Sequence, residues 1–377
     1  MFRTMTLDAR ARLLGIVAIA FAETGCVPEM RTFLSDAPDL AQPDDADDEP
    51  SPDLSSDPYC PLTRPGCFAD VCASGNCQPH IIAWGQSGLS EIAVSADTIY
   101  WLGDNGLRSC PLSGCNNQYV TLASGMMLRR GLVLDPSNVY WTEAGNQSSR
   151  VARCAVGGCA MTPTVLWQSG AETAGPLAVD AANIYFGTVA TLTPSIGRVI
   201  QCPLSGCMSS GVALASARLP SALALDGGNV YWANADETLP AVERCAIGGC
   251  GNQPTAVTSM PGGGAAQLLL EGGYAFWTSR PSPSQPPTDV VSCQESQCMF
   301  PDGLFTLGGA VKMVSDGVYV FGIAEGSSVI GQCGIGGCRQ SPTPIGDGLN
   351  DPIALAVDAT NIYIADRLDG IIYSIGR

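Results

Sequence analysis

The sequence predicts an all-β protein, a seven-bladed β-propeller of four-stranded antiparallel blades whose ring is closed by an N-terminal strand. Three observations carry that prediction. A Tyr-Trp line is written repeatedly, as in "VYWTEAGNQSSRVARCAVGGC" (139–159) and "VYWANADETLPAVERCAIGGC" (230–250). Its tyrosine-equivalent positions fall 40 to 46 residues apart, a period that marks propeller blades or helical solenoids. Short apolar runs alternate with Gly, Asn, Asp and Pro clusters, which suits strands and turns and not helices. With Gly 44, Pro 27 and only 14% charged residues in 377, the composition agrees.

Each repeat divides into four strands. Strand A is a small apolar run such as "LAVD" (177–180) or "LALD" (223–226). It ends in an Asp-x-x-Asn turn, whose side chains can hydrogen-bond the turn backbone. The full motif occurs as "DPSNVYW" (135–141), "DAANIYF" (180–186), "DGGNVYW" (226–232) and "DATNIYI" (358–364). Looser copies are "SADTIYW" (95–101), "EGGYAFW" (271–277) and "SDGVYV" (315–320), the last with Tyr319 at the tyrosine position. Strand B is the Tyr-Trp segment, rich in residues that fit a pleated, packed surface. A loop of variable length leads to strand C, for instance "RVARC" (150–154), and a Cys-closed hairpin to strand D, for instance "TPTVLWQSG" (162–170). The seventh repeat stops after strand C at Arg377, and "HIIAWGQSG" (80–88) resembles the strand D it lacks. This segment is expected to complete the last blade, burying Ile81, Ile82 and Trp84. The alternative is six blades with an accessory half.

Seventeen cysteines point to an oxidising compartment. Six Cys-x4-Cys pairs stand at the C-to-D junctions: Cys110–Cys115, Cys154–Cys159, Cys202–Cys207, Cys245–Cys250, Cys293–Cys298 and Cys333–Cys338. Two cysteines facing each other across a hairpin lie within disulfide range, about 4.5–5.5 Å at Cα. A zinc site would need two pairs to converge on one ion, and pairs on successive blades diverge. The last blade has Ser374 where the first Cys is expected. Upstream, Cys60, Cys67, Cys72 and Cys77 allow three connectivities, and the repeat analogy selects Cys60–Cys67 and Cys72–Cys77.

The N-terminus reads as a targeting segment. Arg3, Arg10 and Arg12 precede the apolar run "LLGIVAIAFA" (13–22), too short to span a bilayer comfortably. "ETGC" (23–26) resembles a bacterial lipobox, which implies lipidation of Cys26; Glu23 stands where that motif carries an aliphatic residue. The other reading is an ordinary secretory signal and a secreted product. Residues 27–58 hold ten carboxylates and one Arg, a composition that cannot bury enough surface to fold. The expected organisation is a signal peptide over 1–26, an acidic linker over 27–58, a Cys-rich cap over 59–77 and the propeller over 78–377. The location that follows is the bacterial cell envelope, as an outer-membrane or cell-surface lipoprotein.

The Tyr-Trp strand and its period resemble the YWTD propellers of low-density-lipoprotein-receptor type and related bacterial surface propellers. The likeness rests on Tyr140-Trp141-Thr142 with Glu143 and on Tyr231-Trp232-Ala233 with Asn234. It implies a propeller and extracellular binding, and no receptor activity. That family has six blades, one fewer than this sequence predicts.

Little chemistry is legible. The net charge of −17 disfavours nucleic acid and anionic lipid as partners, leaving the lipid anchor as the only membrane contact. The one histidine, His80, and the one lysine, Lys312, leave few acid–base candidates, and no cofactor or metal motif occurs. The B-to-C and D-to-A loops share one face, where function usually resides. Its candidate binding residues are Asp104, Glu143, Asp236, Glu237, Arg280, Glu325, Asp366 and Arg367. The expected function is a non-enzymatic binding module for a protein or carbohydrate. The alternatives are a metal-assisted hydrolase or lyase with carboxylates at the central channel, and a structural envelope protein.

Overall fold

The computed structural model describes residues 70–73 and 76–377, apart from stretches at 125–127, 145–147, 194–195, 237, 239, 259–263, 280–288, 296–301, 307–309, 325–327, 339–340 and 346–348. The described residues form seven antiparallel sheets. The chain enters with strands β1 (Asp70–Ala73) and β2 (Asn76–Ala83). Blade 1 is β3 (Glu91–Val94), β4 (Thr98–Gly103), β5 (Gly106–Pro111) and β6 (Val120–Ala123). Blade 2 is β7 (Leu128–Leu134), β8 (Asn138–Ala144), β9 (Ser149–Ala155) and β10 (Thr164–Ser169). Blade 3 is β11 (Glu172–Val179), β12 (Asn183–Ala190), β13 (Gly197–Pro203) and β14 (Val212–Ala217). Blade 4 is β15 (Pro220–Leu225), β16 (Asn229–Asn234), β17 (Val242–Ala246) and β18 (Thr255–Ala256). Blade 5 is β19 (Leu268–Glu271), β20 (Tyr274–Ser279), β21 (Asp289–Gln294) and β22 (Asp302–Thr306). Blade 6 is β23 (Ala310–Ser315), β24 (Tyr319–Ala324), β25 (Ile330–Gly334) and β26 (Thr343–Pro344). Blade 7 is β27 (Pro352–Val357), β28 (Asn361–Asp366) and β29 (Ile371–Gly376), followed in the sheet by β2 and β1. The innermost strands touch in sequence around the ring, and β27 packs against β3.

The apolar core lies between blades, in seven clusters, one for each seam. Trp141 of blade 2 packs with Tyr100 and Leu122 of blade 1, and Trp232 of blade 4 with Tyr185 and Leu214 of blade 3. Trp101, Trp141, Trp167, Trp232 and Trp277 are all fully buried. Burying one such side chain is worth at least about 1.5–3 kcal/mol, so the Tyr-Trp strand supplies much of the adhesion between neighbours.

The Asp-x-x-Asn turns work in the same way in four blades. One oxygen of Asp135 accepts the N–H groups of Ser137 and Asn138, and the other accepts the Tyr140 hydroxyl at 2.5 Å. Asp180 holds Tyr185, Asp226 holds Tyr231 and Asp358 holds Tyr363, at 2.8, 2.8 and 2.6 Å. The aspartate thus shapes the turn and satisfies the hydroxyl of a buried tyrosine. Burial opposes ionisation of Asp135, but bonds from Tyr140, Ser137 and Asn138 prevail and hold its carboxyl below the usual range. Burial, then the Asp135 carboxylate, pushes Tyr140 up to about 12.

Two register assignments made from the sequence need correction. In blade 6, Val320 pairs with Cys333 just as Val139 pairs with Cys154, so Phe321 and not Tyr319 occupies the tyrosine position. Phe321 has no hydroxyl, and the free oxygen of Asp316 pairs with Arg377 instead, at 2.6 Å. In blade 7, Ile362 pairs with Ile375, so Ile375 and not Ser374 stands at the first-Cys position. Ser374 is one residue earlier and faces His80 across the β2 ladder, 3.3 Å from its Nδ1.

Five disulfides are present among the described residues: Cys110–Cys115, Cys154–Cys159, Cys202–Cys207, Cys245–Cys250 and Cys333–Cys338. Cys293 is also disulfide-bonded, and Cys298 lies outside the described residues, as do Cys26, Cys60 and Cys67. Cys72 and Cys77 face each other in the β1–β2 ladder. The hairpins do more than staple their own blades. In blades 2, 3, 4 and 6 the hairpin docks on a β-bulge in strand D of the preceding blade. The Leu166 carbonyl in β10 accepts the N–H groups of Cys207 and Met208 from blade 3, both at 2.9 Å. Sulfurs of the other hairpins lie 3.6, 3.8 and 3.3 Å from the carbonyl oxygens of Leu122, Leu214 and Leu304. A disulfide sulfur carries no proton, so these are packing contacts.

β2 takes the same part in the seam between blades 7 and 1. Cys110 lies 3.9 Å from the Ile82 carbonyl, and the Trp84 N–H donates to Asn117 at 2.9 Å. A bulge between Ile81 and Ala83 matches the one between Val165 and Trp167. That register buries Ile82 and Ala83 and leaves Ile81 and Trp84 each 44% exposed. The expectation that Ile81 and Trp84 are core residues is therefore wrong. The extra residue in "IIAWGQSG" moves the tryptophan one place along the strand, and Ala83 takes the place of Trp167.

Candidate functional site at the channel mouth

Strand A of every blade begins on the B-to-C and D-to-A loop face and lines the central channel. The residue preceding the partner of the tryptophan position recurs in each blade: Glu91, Gly131, Pro176, Ala222, Gln267, Lys312 and Ala354. All but Ala354 line one cavity of about 350 Å³, together with Thr173, Thr188 and Ser221. Blades 1 to 6 all contribute.

Bulges shape this wall. β7, β11, β15 and β23 each slip register near their starts, and Gly131, Gly175, Pro176 and Ser221 lie in the slipped segments. Bulges bend a strand and re-aim its side chains, often beside functional sites. Gly131 needs its glycine, because its φ is +73° and a Cβ would come within 2.9 Å of the Gly175 carbonyl. The Ser221 hydroxyl is tied to backbone carbonyls of Ala233 and Ala265, which fixes the wall between blades 4 and 5.

Among the described residues lining the cavity, Glu91 and Lys312 alone are charged. Lys312 Nζ donates to both Glu91 oxygens at 2.8 Å. The two residues belong to blades 1 and 6, and blade 7 between them offers only the methyl of Ala354 at that position. The side chains are 23% and 20% exposed, so the pair is reachable from the cavity.

Among the described residues, the rim positions predicted from the sequence do not converge. Glu143 is buried and binds Arg150. Asp236 accepts from the hydroxyl and N–H of Thr238, which with Arg218 at 3.5 Å hold it below the usual carboxylate range. Asp366 is fully buried and accepts the N–H groups of Asn350, Asp351 and Asp369, so it organises a loop instead of facing solvent. Arg367 pairs with Asp351 at 2.7 Å. The Asp104 N–H donates to Ser87, and Gly88 sits so close that a Cβ there would collide with the Asp104 carboxylate. Glu237, Arg280 and Glu325 lie outside the described residues. Exposed apolar side chains complete this face: Leu192 at 94%, Ile196 at 58% and Leu368 at 68%.

The channel ring is not among the chemistry-bearing loop residues that the sequence singles out. A signal existed: the ring residue always stands four positions before the first residue of the A-to-B turn, as Glu91 does in "EIAVS" (91–95), giving Glu91, Gly131, Pro176, Ala222, Gln267, Lys312 and Ala354 down the repeat. Among the described residues, no three His, Cys, Asp or Glu side chains gather in a metal-binding arrangement.

No family profile matches the sequence, and no curated protein aligns with it. The fold has solved relatives. The structure of a catalytically inactive virginiamycin B lyase from Staphylococcus aureus with quinupristin aligns with a TM-score of 0.59 at 14% identity, over 79% of this chain and 98% of that one. A streptogramin B lyase structure aligns at 0.60 and 11%, over 79% and 96%. The WD40 β-propeller domain of Doa1 aligns at 0.55 and 9%, over 80% and 97%. At these identities the likeness is one of fold: the chain is a seven-bladed β-propeller.

Proposed function

We propose that this chain is a non-enzymatic binding module of the bacterial cell envelope. It is tethered through Cys26 and the acidic segment 27–58, and it presents the loop face to a protein or carbohydrate ligand. One observation carries the reading. The repeated chemistry, Asp-Tyr turns and docked disulfide hairpins, is spent on the opposite face and in the seams. The loop face has instead unequal loops, an open cavity and exposed Leu192, Ile196 and Leu368. Loops on a rigid scaffold are where binding resides. The likeness of the Tyr-Trp strands to extracellular YWTD propellers supports the same reading. The single carboxylate among the described residues lining the cavity is held by Lys312, which favours binding over carboxylate-based hydrolase or lyase chemistry.

Photo-crosslinking in cells producing the full chain tests this. A benzoylphenylalanine at Leu192 or Leu368 is expected to give discrete adducts, and one at Val120 or Val212 on the outer strands is not. Equal yields from both sets would count against a loop-face ligand. The tether has its own check: Cys26→Ser is expected to release the protein from the membrane fraction, and unchanged fractionation would overturn the anchor.

A further inference from the structure

The ring of seven channel residues is electrically balanced, and that balance specifies a ligand class. It holds one acid, one base, one amide and four small or apolar residues. The acid and base are bound to each other at 2.8 Å across blade 7, half-sheltered from water. A ligand bearing a single net charge would have to take one partner and strand the other in the cavity, and an uncompensated sheltered charge is costly. A neutral sugar gains no charge partner there and leaves the pair as it is. A small zwitterion suffers neither loss. Its carboxylate can take a place on Lys312 while its ammonium takes a place on Glu91, so every charge keeps an opposite neighbour.

The remaining walls fit the rest of such a molecule. Gly131, Pro176, Ala222 and Leu223 offer apolar surface, and Thr173 and Gln267 add polar groups beside it. About 350 Å³ is at the small end of ligand cavities, the size of an amino acid or dipeptide. We propose that the channel mouth binds a small zwitterionic amino compound, an amino acid or short peptide end, by opening the Glu91–Lys312 pair into a four-charge arrangement. This rests on the loop face being a binding face, and it names the chemistry of that face's cavity.

The test uses the full purified chain and alanyl-leucine as probe, followed by calorimetry and saturation-transfer NMR. Comparison probes are N-acetyl-alanyl-leucine, alanyl-leucine amide, glucose and citrate. The dipeptide is expected to bind. The acetylated and amidated forms are each expected to bind at least tenfold more weakly, and glucose and citrate not to compete. Glu91→Gln and Lys312→Met are each expected to lose at least tenfold in dipeptide affinity, and the double variant, which strands neither charge, to lose as much with a melting temperature near that of the parent. Binding that is indifferent to acetylation, binding unchanged in both variants, or no dipeptide binding at all would each overturn the inference. Loop-face crosslinks that persist while the dipeptide is silent would sink this proposal alone. Loss of both would sink the binding-module reading as well.

Discussion

The two faces of the ring follow different rules. On the turn face, Asp135, Asp180, Asp226 and Asp358 make the same bonds to turn N–H groups and a buried tyrosine. Beside them, an aliphatic residue of five hairpins packs into a seam: Leu112, Val156, Leu204, Ile247 and Ile335. On the loop face the ion pairs differ from blade to blade, Glu143–Arg150 in one and bidentate Glu172–Arg198 in the next. Repetition marks what holds blades together, because every seam poses the same packing problem. Variation marks surface that packing leaves free.

The most severe way to break this comparison is at the seam closed by β2. Removing residues 27–58 takes away only polar linker, and thermal stability should barely change. Extending the deletion through Gly88 removes buried Ile82 and Ala83, as well as Gln86, whose side-chain oxygen accepts bonds from Trp101 and Arg108. Each large apolar group lost costs about 1.5–3 kcal/mol, against a total of about 5–15 kcal/mol. The longer truncation should be insoluble or protease-sensitive; equal melting temperatures would show that β2 contributes nothing to the ring.

Substitutions in the turns come next. Asp180→Ala leaves the hydroxyl of buried Tyr185 and two turn N–H groups without their partner, a loss of about 1–3 kcal/mol by urea denaturation. Tyr185→Phe should cost less, since it removes the hydroxyl along with its need. The four turn aspartates have lowered pKa values in the folded state. Their stabilisation is therefore present above the ordinary value of 3.8 and lost as pH falls through the lowered ones. Asp180→Asn should flatten the acid limb of stability against pH, and an unchanged limb would remove the turns from the acid response. At the other end, Tyr140 rises from 10.0 to about 12, so its contribution holds below pH 10 and fades toward 12.

A disulfide should matter somewhat less. Cys202→Ser with Cys207→Ser opens a loop of sequence separation 5, and so small a loop is worth less than the roughly 3 kcal/mol of a 15-residue one. The loss should still register in blade 2, as faster amide exchange at Gln168, whose N–H donates to the Met208 carbonyl of the docked hairpin at 3.1 Å. Exchange confined to the hairpin's own strands would show that the docking is incidental.

Blade 5 offers the smallest and most diagnostic change. Glu295 occupies the aliphatic hairpin position, with its N–H bonded to the Gly273 carbonyl as Val156 is to Ser137. Burial, then the nearby Asp226 charge, pushes its carboxyl up. Glu295→Leu should therefore stabilise the protein by about 1 kcal/mol at neutral pH, visible as a higher melting temperature. A drop would mean that this carboxylate serves its seam.

Much of the fold was legible because a propeller repeats one local solution. Period, turn aspartates and cysteine spacing are properties of neighbouring residues, and each recurs often enough to be read despite variation. The errors fall where one residue decides the register. Tyr319 and Phe321 are both aromatic and only two apart, and either satisfies the pattern; the pairing of Val320 with Cys333 selects Phe321. Ser374 resembles a cysteine in size, yet the ladder puts Ile375 at that place. In β2, a bulge moves Ala83 inward and Trp84 outward, against the ordinary preference for burying the larger side chain.

Blade number, turn chemistry, the hairpin disulfides and the shared loop face are all legible in the sequence, since they follow from the number of repeats and the spacing within each. Assembly of the ring is what docks hairpins on the preceding blade, engages rim carboxylates such as Glu143 and Asp366 within the fold, and brings Glu91 to Lys312. Those last two residues are 221 positions apart. No local pattern links them, because their distance is set by ring closure, which brings blade 6 within reach of blade 1 across a blade that offers only the methyl of Ala354 between them.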